Sequence, residues 1–300
     1  MIHNWSLKRL SYDANNSKLD YEFFFQNIIF PPKPNPLNPC YPLKYIAMPN
    51  IADLKYQNQM PDKRLADYVQ WFWKLENGTP EKETFTILPD GYFDILFISI
   101  GGKPFRASLL GLAARPSTNT VAASCRVFAI SFKLPAAEYI LKTNISALLN
   151  TGKHLPANFW DAAFEEIEDL DSFSGVATAI MLNCLDKEMD SRKHQLFHHI
   201  YQSAGLATVE QLADVCGWSS RQINRYFQNN FGLSLKAYCN ILRFRASFDE
   251  LHKGQLFPGE GYFDQPHFIR EVNKFAGTSP KHLANNKNDR FIQLSTLPGN

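Results

Sequence analysis

The chain is short of pairable cysteine: its five, Cys40, Cys125, Cys184, Cys216 and Cys239, are odd in number, scattered, and never spaced as C-x-x-C. That excludes a disulfide framework and a zinc site of the usual ligand spacing, and it fits a reducing cytoplasm. Cys216 stands at helical spacing from Leu212 and Ala213, so it reads as a small buried apolar residue. No segment approaches the ~18 to 20 unbroken apolar residues that span a bilayer. The aromatic run from Tyr21 to Phe30 is too short for that, and it lacks a signal peptide's charged head and small-residue cleavage site. Also missing are G-x-S-x-G, H-E-x-x-H and a Gly-rich phosphate loop. His198 and His199 are adjacent, which on a helix turns them about 100° apart and makes a poor chelating pair. His154 stands alone in an expected loop, and Asp90 and Asp94 flank a turn and a strand start, where bonding to the turn is their expected duty. Neither an enzyme, a cofactor nor a metal ion follows.

Charge is scarce too. Only 20% of residues are charged and the formal net charge is +2, so the chain as a whole is not one coated in nucleic acid. The distribution is less even: from Gly205 to the end, eleven Lys or Arg face eight Asp or Glu, leaving +3 there and −1 elsewhere. Electrostatics permits a nucleic-acid partner in the last third without demanding one.

What the chain has is apolar and aromatic residues, 45% and 14%, over a length about twice that of a common domain, so two folded units are expected. Residues 1–47 mix Asn, Ser and aromatics and run into Pro31-Pro32-Lys33-Pro34-Asn35-Pro36, which suits neither helix nor strand. They read as a weakly ordered extension, and the composition shift marks Met48 as a candidate start. From about Leu65 the pattern turns globular, with Tyr68, Val69, Trp71, Phe72 and Trp73 clustered. Pro89-Asp90-Gly91 makes a turn that launches a strand over Tyr92–Ile100, apolar on both faces and ended by Gly101-Gly102. Further strands are predicted over Ala107–Leu112 and Arg126–Lys133. Short strands with Gly and Pro punctuation suggest a small barrel or sandwich over 48–155, a sensory or effector unit. Helices are predicted over Ala136–Leu149, Phe159–Ile167 and Phe173–Met189, the stretch 156–195 serving as a connector that ends near Asp190-Ser191-Arg192-Lys193.

The last unit, 196–290 ahead of a tail at 291–300, carries the most information. Thr208 precedes an apolar-periodic run with Gln211 three residues on, a capping box, and Gly217 stops that helix in a left-handed turn. Ser219 or Ser220 caps the next helix, which sends Ile223, Phe227 and Phe231 inward. Some 44 residues on, Gly261-Tyr262-Phe263-Asp264-Gln265-Pro266-His267-Phe268-Ile269-Arg270, closed by Gly277, repeats the plan. A long helix from Leu235 to Leu251 is predicted between them, with Arg243 and Arg245 on a solvated or ion-paired face. Two helix-turn-helix units in tandem suggest a DNA reader, each turn presenting the first polar residues of its second helix to a major groove. In the first unit the candidates are Ser219, Ser220, Arg221, Gln222, Asn224 and Arg225. In the second they are Asp264, Gln265, His267, Arg270, Asn273 and Lys274. Arg suits guanine O6 and N7, Asn and Gln suit adenine N6 and N7. The fold class is therefore α+β, a small β-barrel or sandwich-like domain followed by an all-α domain with two helix-turn-helix units.

The segment from about Leu196 to Asn288 resembles the DNA-binding domain of the AraC family of bacterial transcription regulators. Ser219-Ser220-Arg221-Gln222-Ile223-Asn224-Arg225-Tyr226-Phe227 is similar to that family's first reading helix, and Gly261 to Pro280 to its signature around the second. Tyr68–Trp73 with Leu88-Pro89-Asp90-Gly91 resembles an uncharacterised sensory domain found ahead of such readers. The resemblance implies two units joined by one long helix, double-stranded promoter DNA as partner, RNA polymerase as a further one, and control by a small-molecule effector. One departure stands out. Only Gln255–Glu260 separates the expected long helix from Gly261, and Pro258 and Gly259 oppose a helix there, so the second unit is expected to lack its full supporting helix. No heptads demand a homodimer, although the first domain permits one. The alternative is a scaffold whose helical tail contacts protein.

Overall fold

The computed structural model describes residues 54–161, 164, 167–185, 188–256, 261–286 and 291. The expected extension with Met48, the pair Pro258-Gly259 and the tail past Phe291 lie outside them. The first half holds the strands β1 (Leu54–Gln59), β2 (Val69–Asn77), β3 (Glu83–Ile87), β4 (Phe93–Ile100), β5 (Arg106–Leu110), β6 (Ser117–Val121), β7 (Cys125–Phe132) and β8 (Gly152–His154). Six of them form one antiparallel sheet in the order β1-β2-β7-β4-β5-β8, while β3 and β6 pair as a second layer. The sheet does not close on itself, so the architecture is a sandwich and not a barrel.

Period-two alternation explains why β4 is apolar on both faces. Leu96 and Ile98, with Val127 and Ala129 of β7, meet Phe85 and Val121 of the β3–β6 layer. Phe93, Ile95 and Phe97, with Phe128, Ile130 and Phe132, join a core shared with the helices. These helices include α1 (Pro135–Tyr139), between β7 and β8, and α2 (Leu170–Cys184), after β8. Phe173 of α2 is fully buried, its ring 5.0 Å from Phe128 and 5.6 Å from Phe97. A Phe enclosed in this way stabilises a core by about 3–5 kcal/mol relative to Ala.

The helical half runs α3 (Ser191–Gln202), α4 (Val209–Cys216), α5 (Ser220–Phe231), α6 (Leu235–Ala246), α7 (Phe248–His252), α8 (Gln265–Ala276) and α9 (Pro280–Asn285). Its core is continuous with that of the sheet. The Tyr238 hydroxyl of α6 donates to the Gly91 carbonyl at 2.9 Å and lies 3.0 Å from the Tyr201 hydroxyl, which accepts from the Leu134 N–H at 2.9 Å. Ile145 N–H donates to the Asn230 carbonyl at 3.1 Å, holding the end of α5 to the first half.

Several expected elements come out differently. The helix predicted over Ala136–Leu149 stops at Tyr139; Lys142 takes a positive φ of 49° and the Asn144 side chain accepts from Ser146 N–H, so the chain turns instead. At Phe159–Asp161 there is a single tight turn with Trp160 at φ 64°, not the start of a long helix. The third connector helix begins earlier than predicted, where Asp169 caps Ser172 N–H, and ends at Cys184. His154 is no loop residue: it ends the edge strand β8, with Nδ1 3.2 Å from the Ser108 hydroxyl. The long helix expected over Leu235–Leu251 is broken at Ser247 into α6 and α7, and α7, with five residues, is shorter than the full supporting helix that the second unit was expected to lack.

Candidate nucleic-acid interface

The two helix-turn-helix units are built alike from local chemistry. Thr208 and Gln211 form the capping box of α4, and Ser219 and Gln222 form that of α5, each pair satisfying backbone N–H groups that a helix start leaves unpaired. Gly217 at φ 65° separates these helices, and Ile223, Phe227 and Phe231 of α5 are buried. In the second unit Gly261 at φ 94° leads to Asp264, whose carboxylate accepts from His267 N–H at 2.7 Å and caps α8. Both α5 and α8 have twelve residues, and each ends on a left-handed glycine, Gly232 or Gly277, followed two residues on by a capping serine, Ser234 or Ser279.

Apolar spacing fixes which side of each helix faces out. On α5, Arg221, Gln222, Arg225, Gln228 and Asn229 are exposed. Arg221, Arg225 and Gln228 lie four and three residues apart, so they form one stripe. Gln228 was not singled out from the sequence, although its spacing from Arg221 and Arg225 carried the signal. On α8, Gln265, Pro266, Ile269, Arg270, Asn273 and Lys274 are exposed, while Phe268, Val272 and Phe275 pack inward. Lys274 lies 3.5 Å from Glu271, a contact with little hold in water.

Other candidates have structural duties. Asn224 donates to the Ser220 carbonyl at 3.0 Å and accepts from Leu235 N–H at 3.3 Å, joining α5 to the start of α6. Gln222 accepts from Ser219 N–H at 2.8 Å, and Ser219 from Gln222 N–H at 3.3 Å. Ser220 is half-buried. His267 accepts at Nδ1 from Phe263 N–H at 3.2 Å, which ties the entry turn to the first turn of α8. These side chains are engaged close to the helix starts, whereas Arg221, Arg225, Gln228, Gln265, Arg270, Asn273 and Lys274 are exposed to solvent.

The inner flank of α5 is tied down. Lys193 of α3 donates to Glu138 at 2.6 Å and sits over the Tyr226 ring, while the Tyr226 hydroxyl donates to the same carboxylate at 3.2 Å. Burial, and then that carboxylate, push the Tyr226 hydroxyl well above the usual phenol range. Arg243 donates to the Gly261 carbonyl at 3.1 Å, and Arg245 lies 5.8 Å from the Trp71 ring and 4.9 Å from the Phe248 ring. Both are half-buried and anchor α6 to its neighbours, where a solvated or ion-paired face was expected from the sequence.

Beneath Arg245, Asp90 accepts from Tyr92 N–H at 3.0 Å, the turn bond expected of it. Burial raises this carboxyl to about 6, against the opposing pull of Tyr92 N–H and Arg245. Asp94 accepts from the Ser131 hydroxyl at 2.5 Å, and burial followed by the charge of Asp90 raises it to about 7. A cleft of about 170 Å³ lies between the halves, where Asp67 and Lys133 face His194, Phe197, His198 and Tyr201 of α3. It is small beside the roughly 300–1,000 Å³ of a drug-sized site. Among the described residues no group of three His, Cys, Asp or Glu is placed to hold a metal ion.

Residues 57–154 match the model of a family described as a domain of unknown function, DUF6597. No curated protein matches the chain. Among solved structures, one of ToxT from Vibrio cholerae is similar over 81% of this chain and 99% of that one, at 13% identity and a TM-score of 0.39. ToxT bound to (E)-4-(8-methylnaphthalen-1-yl)but-3-enoic acid is similar over 77% and 98%, at 13% identity and a TM-score of 0.38. ToxT of strain SCE256 with a bound unsaturated fatty acid is similar over 79% and 96%, at 12% identity and a TM-score of 0.35. Similarities this slight carry no role across to the present chain.

Proposed function

We propose that this protein is a sequence-specific DNA-binding transcription regulator that reads adjacent major-groove segments of a promoter through α5 and α8. The observation that carries this reading is the repeated unit itself: two twelve-residue helices, 44 residues apart in their entry turns, each capped and each leaving a basic and amide-bearing stripe in water. A helix of this kind enters the major groove with its first turns, where Arg and amide side chains match base edges. Arg221, Arg225 and Gln228 serve the first segment, and Gln265, Arg270, Asn273 and Lys274 the second. Ser219, Gln222, Asn224, Asp264 and His267 hold the helix starts that present them, and their N–H-rich ends favour phosphate.

In this reading the sheet-rich half senses a small molecule or holds a partner, and the cleft at Lys133 is where a small effector would touch both halves. Such a regulator works in the cytoplasm; among the described residues no helix is long and apolar enough to cross a membrane. No surface is assigned to RNA polymerase or to a second copy. The test is a gel-shift titration against fragments selected from genomic DNA, repeated over a range of salt. Arg225→Ala and Arg270→Ala are each expected to weaken binding, by about 1–3 kcal/mol with loss of preference at one base pair for a base contact, or with a salt slope shallower by about 0.9 for a phosphate contact. Unchanged affinity and unchanged slope in both variants would overturn the assignment, and capture of one protein with no DNA retained would favour a scaffold instead.

A further inference from the structure

We propose that Phe263 and Ile269 read the methyl groups of thymine, making the second unit a reader of apolar as well as polar base edges. The inference rests on the DNA-binding role above and adds to it which chemistry α8 selects. Two successive aromatics, Tyr262 and Phe263, enter α8, and the fold treats them oppositely. Tyr262 turns in, its ring 4.9 Å from Phe268, whereas Phe263 is 91% exposed.

Scattered exposed apolar residues are ordinary on a protein surface. Phe263 differs because its backbone is fixed from both sides. Its N–H donates to His267 Nδ1 at 3.2 Å, and two residues earlier the Gly261 carbonyl accepts from Arg243 of α6 at 3.1 Å. Gly261 itself sits at φ 94°, where a Cβ would lie 2.4 Å from Leu206 Cδ2 and 3.0 Å from Arg243 Cδ. The turn is thus locked against α6 while the ring it carries is left in water. That ring stands one residue before the Asp264 cap, at the end of a reading helix that approaches the base edges. Ile269, 36% exposed, follows one turn after Gln265 and next to Arg270. Exposed Arg270 and Lys274 on the same helix supply the charge that a phosphate-lined groove attracts. Within that groove thymine alone of the four bases displays a methyl group, and Phe is among the side chains that contact it.

The experiment uses the full chain and a duplex selected by it, with each thymine replaced in turn by deoxyuridine, which removes the methyl and leaves the hydrogen-bonding edge intact. At one or two positions the replacement is expected to weaken binding about three- to tenfold, the scale of one buried methyl group. Phe263→Ala should bind the thymine duplex as weakly as the parent binds the uracil one at the first of these positions, and should no longer distinguish the two there. Ile269→Ala should do the same at the second. The Phe263 ring is almost wholly in water, so its removal leaves folding intact, which circular dichroism checks. A parent that binds duplex with a normal salt slope but ignores every thymine methyl overturns this inference alone, as does a Phe263→Ala protein that keeps the full uracil penalty. A parent that binds no duplex overturns both readings.

Discussion

Replacing Gly91 by alanine tests how tightly the sheet-rich half is seated on α6. Gly91 has a φ of 87°, a region that costs an L-residue roughly 1–2 kcal/mol. An added Cβ would also lie 2.6 Å from Leu242 Cδ2 and 3.6 Å from Tyr238 Cε2. Leu242 is only 4% exposed, so its tip has no solvent to swing into, and an overpacked site of this kind costs about 1–3 kcal/mol. Together Gly91→Ala should lose about 2–5 kcal/mol, read as a lower urea midpoint by tryptophan fluorescence and by far-UV circular dichroism, with coincident curves marking one transition. The cycle with Leu242→Ala separates the two causes. That substitution alone costs about 2–5 kcal/mol, but in the Gly91→Ala background it also removes the clash, so the double variant should be more stable than the added losses predict by about 1–3 kcal/mol. Losses that add to within about 0.5 kcal/mol, or a Gly91→Ala protein as stable as the parent, would refute the packing argument.

The Asp90–Asp94 pair makes stability depend on pH in the sense opposite to that of a salt-bridged carboxylate. Both folded-state values lie above the ordinary 3.8, so the pair's contribution is whole below about pH 4 and is lost as pH rises through about 6 and about 7. Asp94→Asn, which keeps an acceptor for Ser131, should therefore gain on the parent by on the order of 1–3 kcal/mol between pH 5 and pH 8, seen in melts across that range; a constant difference would sink the assignment. Asn224→Ala leaves Leu235 N–H without its partner and should cost about 1–2 kcal/mol of stability while weakening all duplexes alike. Relaxed preference at a single base pair with unchanged stability would make Asn224 a base reader after all.

What was legible in the sequence was what the backbone decides locally. Gly217, Gly232 and Gly277 stop helices in the left-handed region, and serine, threonine or aspartate starts the next one, so the two units and their inward faces were fixed by residues a few positions apart. The break at Ser247 was not legible. Ala246-Ser247-Phe248 holds no glycine or proline, and Ser247 keeps near-helical angles, φ −77° and ψ −3°. At the break the Ser247 hydroxyl donates back to the Phe244 carbonyl at 2.7 Å, and Phe244 stacks on Phe275 of α8 at 5.2 Å, a contact that exists only in the folded chain. Asn224 misled for the same reason. A polar residue on an amphipathic helix reads as exposed, and its bond to Leu235 N–H exists only once two helices have docked. Arg243 and Arg245 looked solvated because their partners, the Gly261 carbonyl and the Trp71 ring, lie far along the chain.

Those same missed contacts place α6 between the two halves in a particular way. Tyr238 and Leu242 receive the Gly91 turn of the sheet-rich half, and Arg243, one residue past Leu242, holds the Gly261 turn that opens α8. Consecutive residues of a helix point about 100° apart, so one rigid turn of α6 grips a turn of each half on different sides. A shift of the Gly91 turn cannot be absorbed by side chains that are already close-packed, and it moves the seat of α8 with it. The first unit also touches α6, with the Phe227 ring 5.7 Å from that of Tyr238, but it has direct ties of its own to the sheet-rich half, from Tyr226 and Lys193 to Glu138 and from Ile145 to the Asn230 carbonyl. Strain introduced at Gly91 should therefore loosen amide protection in α8 more than in α5, and equal loosening of both would show that the halves communicate through their common core and not through this helix.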